Sequence, residues 1–400
     1  MGVIIWVIIA SALSLTVVRD LTRSGNKRLR LTVVSLNLIL SLLVLSLLAL
    51  VIFDRQGPDT PRALANSMNF SLLLAGIVFP RTLLVIFHYG GKLLRIGKSG
   101  YSRAISFSAI VLYAVVALTV LTGYIHGRFN FRFERVTIEY EGLPADLDGL
   151  TIIHLSDLHL ASFHGHSEKL TKLTGQVNSL EPDLIINTGD FITLGYREYG
   201  RFDTILARME AKYGKYAVLG NHDIGTYLPE SNSDAVAMTI RNVSQLVKGS
   251  GYKLLSESNT IIKIGQSSLA LIGAETRGRH PDIIHPDIGK AMAGTEAASL
   301  RILLSHDPNH WDRVLTENPS IDLTLSGHTH GMQVGIITPK FRWSPSQYFY
   351  PRWNGLYNVG EDYLYVNRGL GCLGIPARIG MPPEVTILTI VAKQKSGQSY

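Results

Sequence analysis

The chain has 400 residues, 46% of them hydrophobic, with 38 Lys+Arg against 31 Asp+Glu and a formal net charge of +7. Its apolar content, its single cysteine (Cys372) and its lack of repeats exclude a disordered chain, a disulfide scaffold and a collagen-like array. Residues 1–130 hold 13 Lys+Arg and 3 Asp+Glu, a balance of +10, which leaves 25 and 28, or −3, for residues 131–400; no nucleic-acid partner is expected.

Four apolar stretches come first: Val3–Val18, Leu31–Phe53, Phe70–Tyr89 and Ala104–Ile125. A spanning helix needs about 20 mostly apolar residues, so residues 1–130 are expected to form an all-α transmembrane module in the lipid bilayer. The first stretch is short, but it lacks the basic start of a cleaved signal and a basic loop follows, which favours a retained helix. The third carries Pro80 and Arg81; the arginine is expected to pack against a neighbouring helix or to snorkel. Loops one (Arg19, Arg23, Lys27, Arg28, Arg30) and three (Lys92, Arg95, Lys98, Arg103) are basic, whereas loop two balances Arg55 and Arg62 with Asp54 and Asp59. The positive-inside bias puts loops one and three in the cytoplasm. The chain is then a multi-pass protein of the cytoplasmic membrane, with everything after Ile125 outside.

Residues 131–147 read as a juxtamembrane strand and linker, and residues 148–400 as one catalytic domain. Short, continuously apolar runs recur at Thr151–Leu155, Leu184–Asn187, Tyr216–Leu219, Leu269–Ile272, Ile302–Leu304 and Leu323–Leu325, with closing strands at Tyr363–Asn367 and Val385–Val391. Leu170, Leu173, Val177 and Leu180 recur at helical spacing, and Arg201–Tyr213 and Ser233–Val247 are further helix candidates. Strands alternating with helices predict an α/β architecture with buried sheets. No Walker loop, Gly-x-Ser-x-Gly elbow or Cys-x-x-Cys motif occurs.

Five strand ends carry polar clusters: Ser156-Asp157-Leu158-His159, Gly189-Asp190, Gly220-Asn221-His222-Asp223, Ser305-His306-Asp307 and Gly327-His328-Thr329-His330. Ligands gather beyond the carboxyl ends of strands in such sheets. Carboxylate, imidazole and amide oxygen without thiolate suit Mn, Fe, Zn or Co rather than a structural zinc. Asp-x-His on an extended segment aims its side chains apart unless the backbone turns, which a strand end permits. Two such ions form a clamp for in-line displacement at phosphorus.

This ordered pattern resembles the calcineurin-like metallophosphoesterase superfamily over about residues 148–391, and Asn367-Arg-Gly-Leu-Gly with Pro383-Glu-Val resembles its bacterial YkuE/YaeI-type branch. The resemblance implies a β-sandwich flanked by helices (αββα). It also implies that Asp157, His159 and His330 bind one divalent ion, and Asn221, His306 and His328 a second, with Asp190 bridging. By the same resemblance His222 contacts the phosphoryl group and protonates the leaving oxygen, and Asp223 orients it. Two features depart from the family: Gly331-Met332 stands where Gly-Gly is usual, and the arginines that flank the bridging aspartate in protein phosphatases are missing.

The expected function is hydrolysis of a phosphodiester or phosphomonoester, lipid- or cell-wall-linked, by in-line attack of a metal-bridging hydroxide. The alternatives are a UDP-2,3-diacylglucosamine pyrophosphatase-like enzyme and a non-catalytic metal-binding scaffold or sensor. His154 is expected to be buried and hydrogen-bonded, and His164 and His166 to lie in a solvated loop. His280, His285 and His310 have no supporting pattern. The stretch Lys340–Tyr357, rich in Trp, Tyr and Phe, is either a substrate-capping or membrane-facing lip or a packed surface loop. Arg368 and Arg378 are either phosphate clamps or structural.

Overall fold

The computed structural model describes residues 2–21, 27–54, 56–93, 99–228, 232–275, 286–317 and 320–393. The chain divides into two compact units. One comprises residues 1–57, 65–127 and 374–379, the other residues 58–64, 128–373 and 380–400.

The first unit contains helices Gly2–Asp20, Arg30–Ile52, Pro61–Leu93 and Phe107–Gly127, all long and apolar enough to cross a membrane. Leu36, Leu42, Phe87 and Leu118 are exposed on them, as hydrocarbon-facing side chains would be. Val7 and Ala10 of the first helix pack with Val44 and Leu48 of the second and Phe70 and Val78 of the third. The third helix runs through Pro80 because its turn Leu74–Val78 widens to a π-helix, which accommodates a residue that lacks an N–H. Arg81 is buried and packs on the second helix. Its Nη1 donates to Ser41 Oγ at 2.9 Å and its Nη2 to the Asn37 carbonyl at 3.1 Å.

The second unit is built on two six-stranded sheets. The first contains β1 (Arg132–Tyr140), β2 (Leu150–Leu155), β3 (Leu184–Asn187), β4 (Lys215–Ala217), β5 (Tyr252–Leu254) and β14 (Glu384–Ala392), in the order β1-β14-β2-β3-β4-β5. The second contains β6 (Ser258–Ile264), β7 (Ser267–Ala274), β8 (Leu300–Ser305), β9 (Leu323–Ser326), β12 (Gly355–Val359) and β13 (Asp362–Val366), in the order β12-β13-β9-β8-β7-β6. A short hairpin, β10 (Ile336–Ile337) with β11 (Arg342–Trp343), lies between β9 and β12.

Alternation along the strands makes the layers. Ile152 and Ile186 of the first sheet meet Leu271, Ile302 and Leu325 of the second in the central core. Ile153 and Ile185 face outward onto Leu170, Leu173 and Val177 of helix Ser167–Asn178 and Val243 and Val247 of helix Ser233–Gly249. Trp311 and Val314 of helix Trp311–Glu317 cover Ile272 and Leu303 on the other side. The result is an αββα sandwich.

The strand read within residues 131–147 is present and spans Arg132–Tyr140, an edge strand in parallel register with β14, from Arg132↔Glu384 to Tyr140↔Ala392. One stretch differs from the sequence reading. In the stretch 201–213 only Asp203–Leu206 is helical. The Asn178 side chain donates to the Arg208 carbonyl (2.7 Å) and accepts the Glu210 N–H (3.0 Å), which holds that backbone in a loop despite the helical spacing of Phe202, Leu206 and Met209.

Candidate metal centre

Strands β2, β3 and β4 run parallel to one another in the first sheet, as β8 and β9 do in the second, so their carboxyl ends deliver the five polar clusters to shared edges. Beyond those ends the backbone turns into the left-handed region at Asp157 (φ 50°), His159 (φ 37°), Asp190 (φ 56°), His328 (φ 72°) and His330 (φ 51°). This region costs a non-glycine residue about 1–3 kcal/mol and clusters at functional sites. It supplies the turn that lets Asp157 and His159, two residues apart, converge.

Two groups of donors result: Asp157, His159 and His330, and Asp190, His306 and His328, each with its donor atoms within 4.8 Å of one another. In the first, His330 Nε2 lies 3.0 Å from His159 Nε2 and 3.2 Å from Asp157 Oδ1. In the second, His306 Nε2 lies 3.1 Å from Asp190 Oδ2 and 3.2 Å from His328 Nδ1. The same Asp190 oxygen is 3.7 Å from His159 Nε2, so Asp190 stands between the groups. Asn221 is also buried at this edge, its amide nitrogen donating to the Tyr227 hydroxyl at 2.9 Å.

The donor set fits divalent cations. His306 Nδ1 donates to the Thr188 carbonyl at 2.8 Å, which leaves an Nε2 lone pair facing the Asp190 carboxylate. Burial disfavours charge on that ring, yet the Asp190 and Asp157 carboxylates raise its pKa to about 10. The position therefore calls for positive charge at Nε2. Burial drives His159 and His328 the other way, toward the neutral, ligating form. Asn221 Oδ1 is buried with no hydrogen-bond partner among the described residues, the condition of a carbonyl oxygen reserved for a metal.

The His222 ring belongs to neither group. It stacks on Tyr227 (centroids 4.3 Å, interplanar angle 13°), and its Nδ1 lies 2.6 Å from the Thr193 carbonyl. Asp223 does not take the orienting role expected of it. Its carboxylate accepts backbone N–H groups from Asp190 (2.8 Å), Gly220 (2.9 Å) and Ile192 (3.0 Å), and so ties the Asp190 turn to the Asn221 turn. Orientation of His222 falls to Thr193, whose hydroxyl also meets His159 Nδ1 at 3.2 Å.

Thr193 is held in turn by Glu198, a residue with no signal in the sequence. Glu198 Oε1 accepts the N–H of Thr193 and, at 2.8 Å, that of Leu194. Burial pushes its carboxyl up to about 8, against those two N–H groups. A carboxyl raised from 4.5 on folding stabilises fully below about 4.5, and the contribution is lost as pH rises toward 8. Glu198→Gln should therefore flatten the fall in unfolding temperature between pH 5 and pH 8; an unchanged slope would locate the titration elsewhere. Arg197, next to Glu198, pairs with Asp59 of the 58–64 segment of this unit (Nε to Oδ2, 3.0 Å).

His154 is buried and its Nε2 bonds the Thr188 hydroxyl at 2.9 Å; burial lowers its pKa to about 3, so it stays neutral. His164 is exposed, and His166 is half-buried against Phe129. His310 is a structural partner of Ser305 (2.9 Å), while His280 and His285 lie outside the described residues. The aromatic stretch divides. The Tyr350 hydroxyl reaches His328 Nε2 at 2.9 Å and Trp353 is buried, whereas Phe341, Tyr348 and Phe349 are exposed. Met332 takes φ 48°, a left-handed backbone that explains why glycine suits the position.

Arg368 is structural. It is buried between Glu384 (Nε to Oε2, 2.7 Å) and Glu134 (Nη2 to Oε1, 2.6 Å). Arg368→Ala would leave the Glu384 carboxylate buried without its cation. It should cost about 3–5 kcal/mol, read as a lower urea midpoint; an unchanged midpoint would refute the structural role. Arg378 belongs to the unit of membrane helices, where its N–H bonds the Gly123 carbonyl at 3.2 Å.

Residues 150–332, which include every metal-ligand candidate and His222, match the model of the calcineurin-like phosphoesterase family. The chain is 30% identical over 291 residues to the uncharacterized metallophosphoesterase YkuE of Bacillus subtilis, covering 69% of this chain and 93% of that one. It is 29% identical over 353 residues to a transmembrane protein with metallophosphoesterase domain from Danio rerio (84% and 75% covered). It is 28% identical over 323 residues to the UDP-2,3-diacylglucosamine pyrophosphatase LpxG of Chlamydia muridarum (70% and 96% covered). With the four apolar helices, the sandwich and the strand-end donors, this similarity makes the chain a membrane protein of the calcineurin-like phosphoesterase family, whose members are metal-dependent hydrolases of phosphate esters.

Proposed function

We propose that the chain is a membrane-anchored phosphoesterase with a dinuclear centre. Asp157, His159 and His330 hold one divalent ion, Asn221, His306 and His328 hold the other, and Asp190 serves both. The observation that carries this reading is the pair of donor groups with one Asp190 oxygen between them, 3.1 Å from His306 Nε2 and 3.7 Å from His159 Nε2. Divalent ions bound there supply the charge that draws in a phosphoryl group and lower the pKa of the attacking water. The chain's own residues do the rest. The Thr193 carbonyl fixes His222 through Nδ1 and leaves its Nε2 free to meet the leaving oxygen. Tyr227 holds the plane of that ring, and Asp223 locks the turns that carry Asp190 and Asn221.

The substrate is a phosphodiester or phosphomonoester carried on a lipid or cell-wall component, and the catalytic unit lies outside the cytoplasmic membrane. Support for this location is the nine basic residues shared by loops one and three. The test is hydrolysis of bis(4-nitrophenyl) phosphate by the full-length protein in detergent with Mn²⁺ or Zn²⁺, beside Asp190→Asn. Turnover lost in the variant is expected; bound metal without turnover in the wild type favours a scaffold instead.

Similarity to LpxG across 96% of that relative favours a second reading, hydrolysis of a nucleotide-linked acylated sugar. A C-terminal reporter of sidedness separates the two. An external terminus is expected, and a cytoplasmic one supports the pyrophosphatase.

A further inference from the structure

The membrane helices border a half-open cavity of about 210 Å³ with one charge in its wall. Its lining includes Leu36, Leu40 and Leu84, together with Asn37, Arg81 and Tyr113. Arg81 is 1% exposed. Two of its nitrogens donate to Ser41 and Asn37, both neutral, and Nε has no hydrogen-bond partner among the described residues. A guanidinium stays charged in any protein environment, so this position carries a buried positive charge.

No carboxylate of the module neutralises it. Residues 1–130 contain three acidic side chains, Asp20, Asp54 and Asp59. Asp20 pairs with Lys92 at 2.6 Å and with His88 at 3.5 Å. Asp54 accepts the Gln56 N–H at 2.9 Å, and Asp59 pairs with Arg197. A charge desolvated among hydrocarbon side chains is costly unless paired. The missing counter-charge must therefore come from a molecule outside the module.

We infer that this cavity binds an anionic amphiphile, with its carboxylate or phosphate on Arg81 and its hydrocarbon chain along Leu36, Leu40 and Leu84. The lining is mostly aliphatic with one small polar spot at Asn37, Arg81 and Tyr113, which matches a long hydrocarbon chain with a single charged end. A water occupies about 30 Å³ of liquid, so the space admits a compact head group and several methylenes, and the remaining chain extends into lipid. None of the lining residues is a metal-ligand candidate, and the inference does not depend on the reaction proposed above.

The experiment measures binding of oleate, dodecyl phosphate and uncharged oleyl alcohol to the full-length protein in nanodiscs of neutral lipid. The wild type should retain the anions and bind the alcohol about 10- to 100-fold more weakly, and Arg81→Gln should lose that preference. Leu84→Trp, which fills the cavity and keeps the charge, should weaken all three probes, and it decides the matter if Arg81→Gln fails to fold. Preference for oleate assigns a fatty-acid carboxylate, and preference for dodecyl phosphate assigns a lipid phosphate; each upholds the inference. Equal binding of alcohol and anions, anion binding undiminished in both variants, or no binding by the wild type overturns it. Asp190→Asn should bind the amphiphile as the wild type does while losing hydrolysis, which keeps the two proposals separately testable.

Discussion

Asp190→Asn should lower kcat/KM by about 10³-fold or more and reduce the metal content of the protein. Asparagine keeps the volume of the side chain and an oxygen for the His222 N–H, which Asp190 Oδ1 now accepts at 2.9 Å. The turn should therefore survive. What disappears is the negative charge between His306 and His159, the charge that offsets repulsion between two cations. Metal analysis and steady-state kinetics on the same preparation check this. A variant that keeps two ions per chain and most of its turnover would show that Asp190 is a structural carboxylate.

His222→Ala should separate chemistry from metal binding. The ring lies outside both donor groups, so metal content should stay at the wild-type level while kcat falls about 10²- to 10⁴-fold. The loss should depend on the ester. An alkyl leaving group needs a proton as its bond to phosphorus breaks, whereas 4-nitrophenolate leaves without one. The aryl diester should therefore lose less activity than an alkyl ester. Equal losses on both would mean that His222 orients the phosphoryl group rather than donating a proton. A variant stripped of metal would place the ring among the ligands.

The donors were legible in the sequence because each sits within four residues of a strand end, and a strand end is written locally as an apolar run meeting a polar cluster. Asp157 and His159, Asn221 and His222, and His328 and His330 are near neighbours in the chain, so their convergence follows once the strands are parallel. The residues that hold them were not legible in that role, because they act through backbone groups. Glu198, which fixes the N–H groups of Thr193 and Leu194, carries no sequence signal, and Asp223 stands out in the sequence but not for its hold on the N–H groups of Asp190, Gly220 and Ile192. No side-chain pattern announces such contacts. Long-range pairing was equally hidden. The strand at Arg132–Tyr140 finds its partner about 250 residues later in β14, a register that only the folded sheet reveals. The loop at 207–213 kept a helical spacing of apolar residues while Asn178 took over its backbone hydrogen bonds. There a tertiary contact outweighed local periodicity.

The dinuclear centre is tested most directly by the metal stoichiometry of the full-length protein, taken together with its turnover of bis(4-nitrophenyl) phosphate. Two divalent ions per chain are predicted, with hydrolysis abolished by chelation and restored by adding Mn²⁺ or Zn²⁺. One ion per chain at full activity, or hydrolysis that persists after both ions are removed, would contradict a dinuclear centre at Asp157, His159, Asp190, Asn221, His306, His328 and His330.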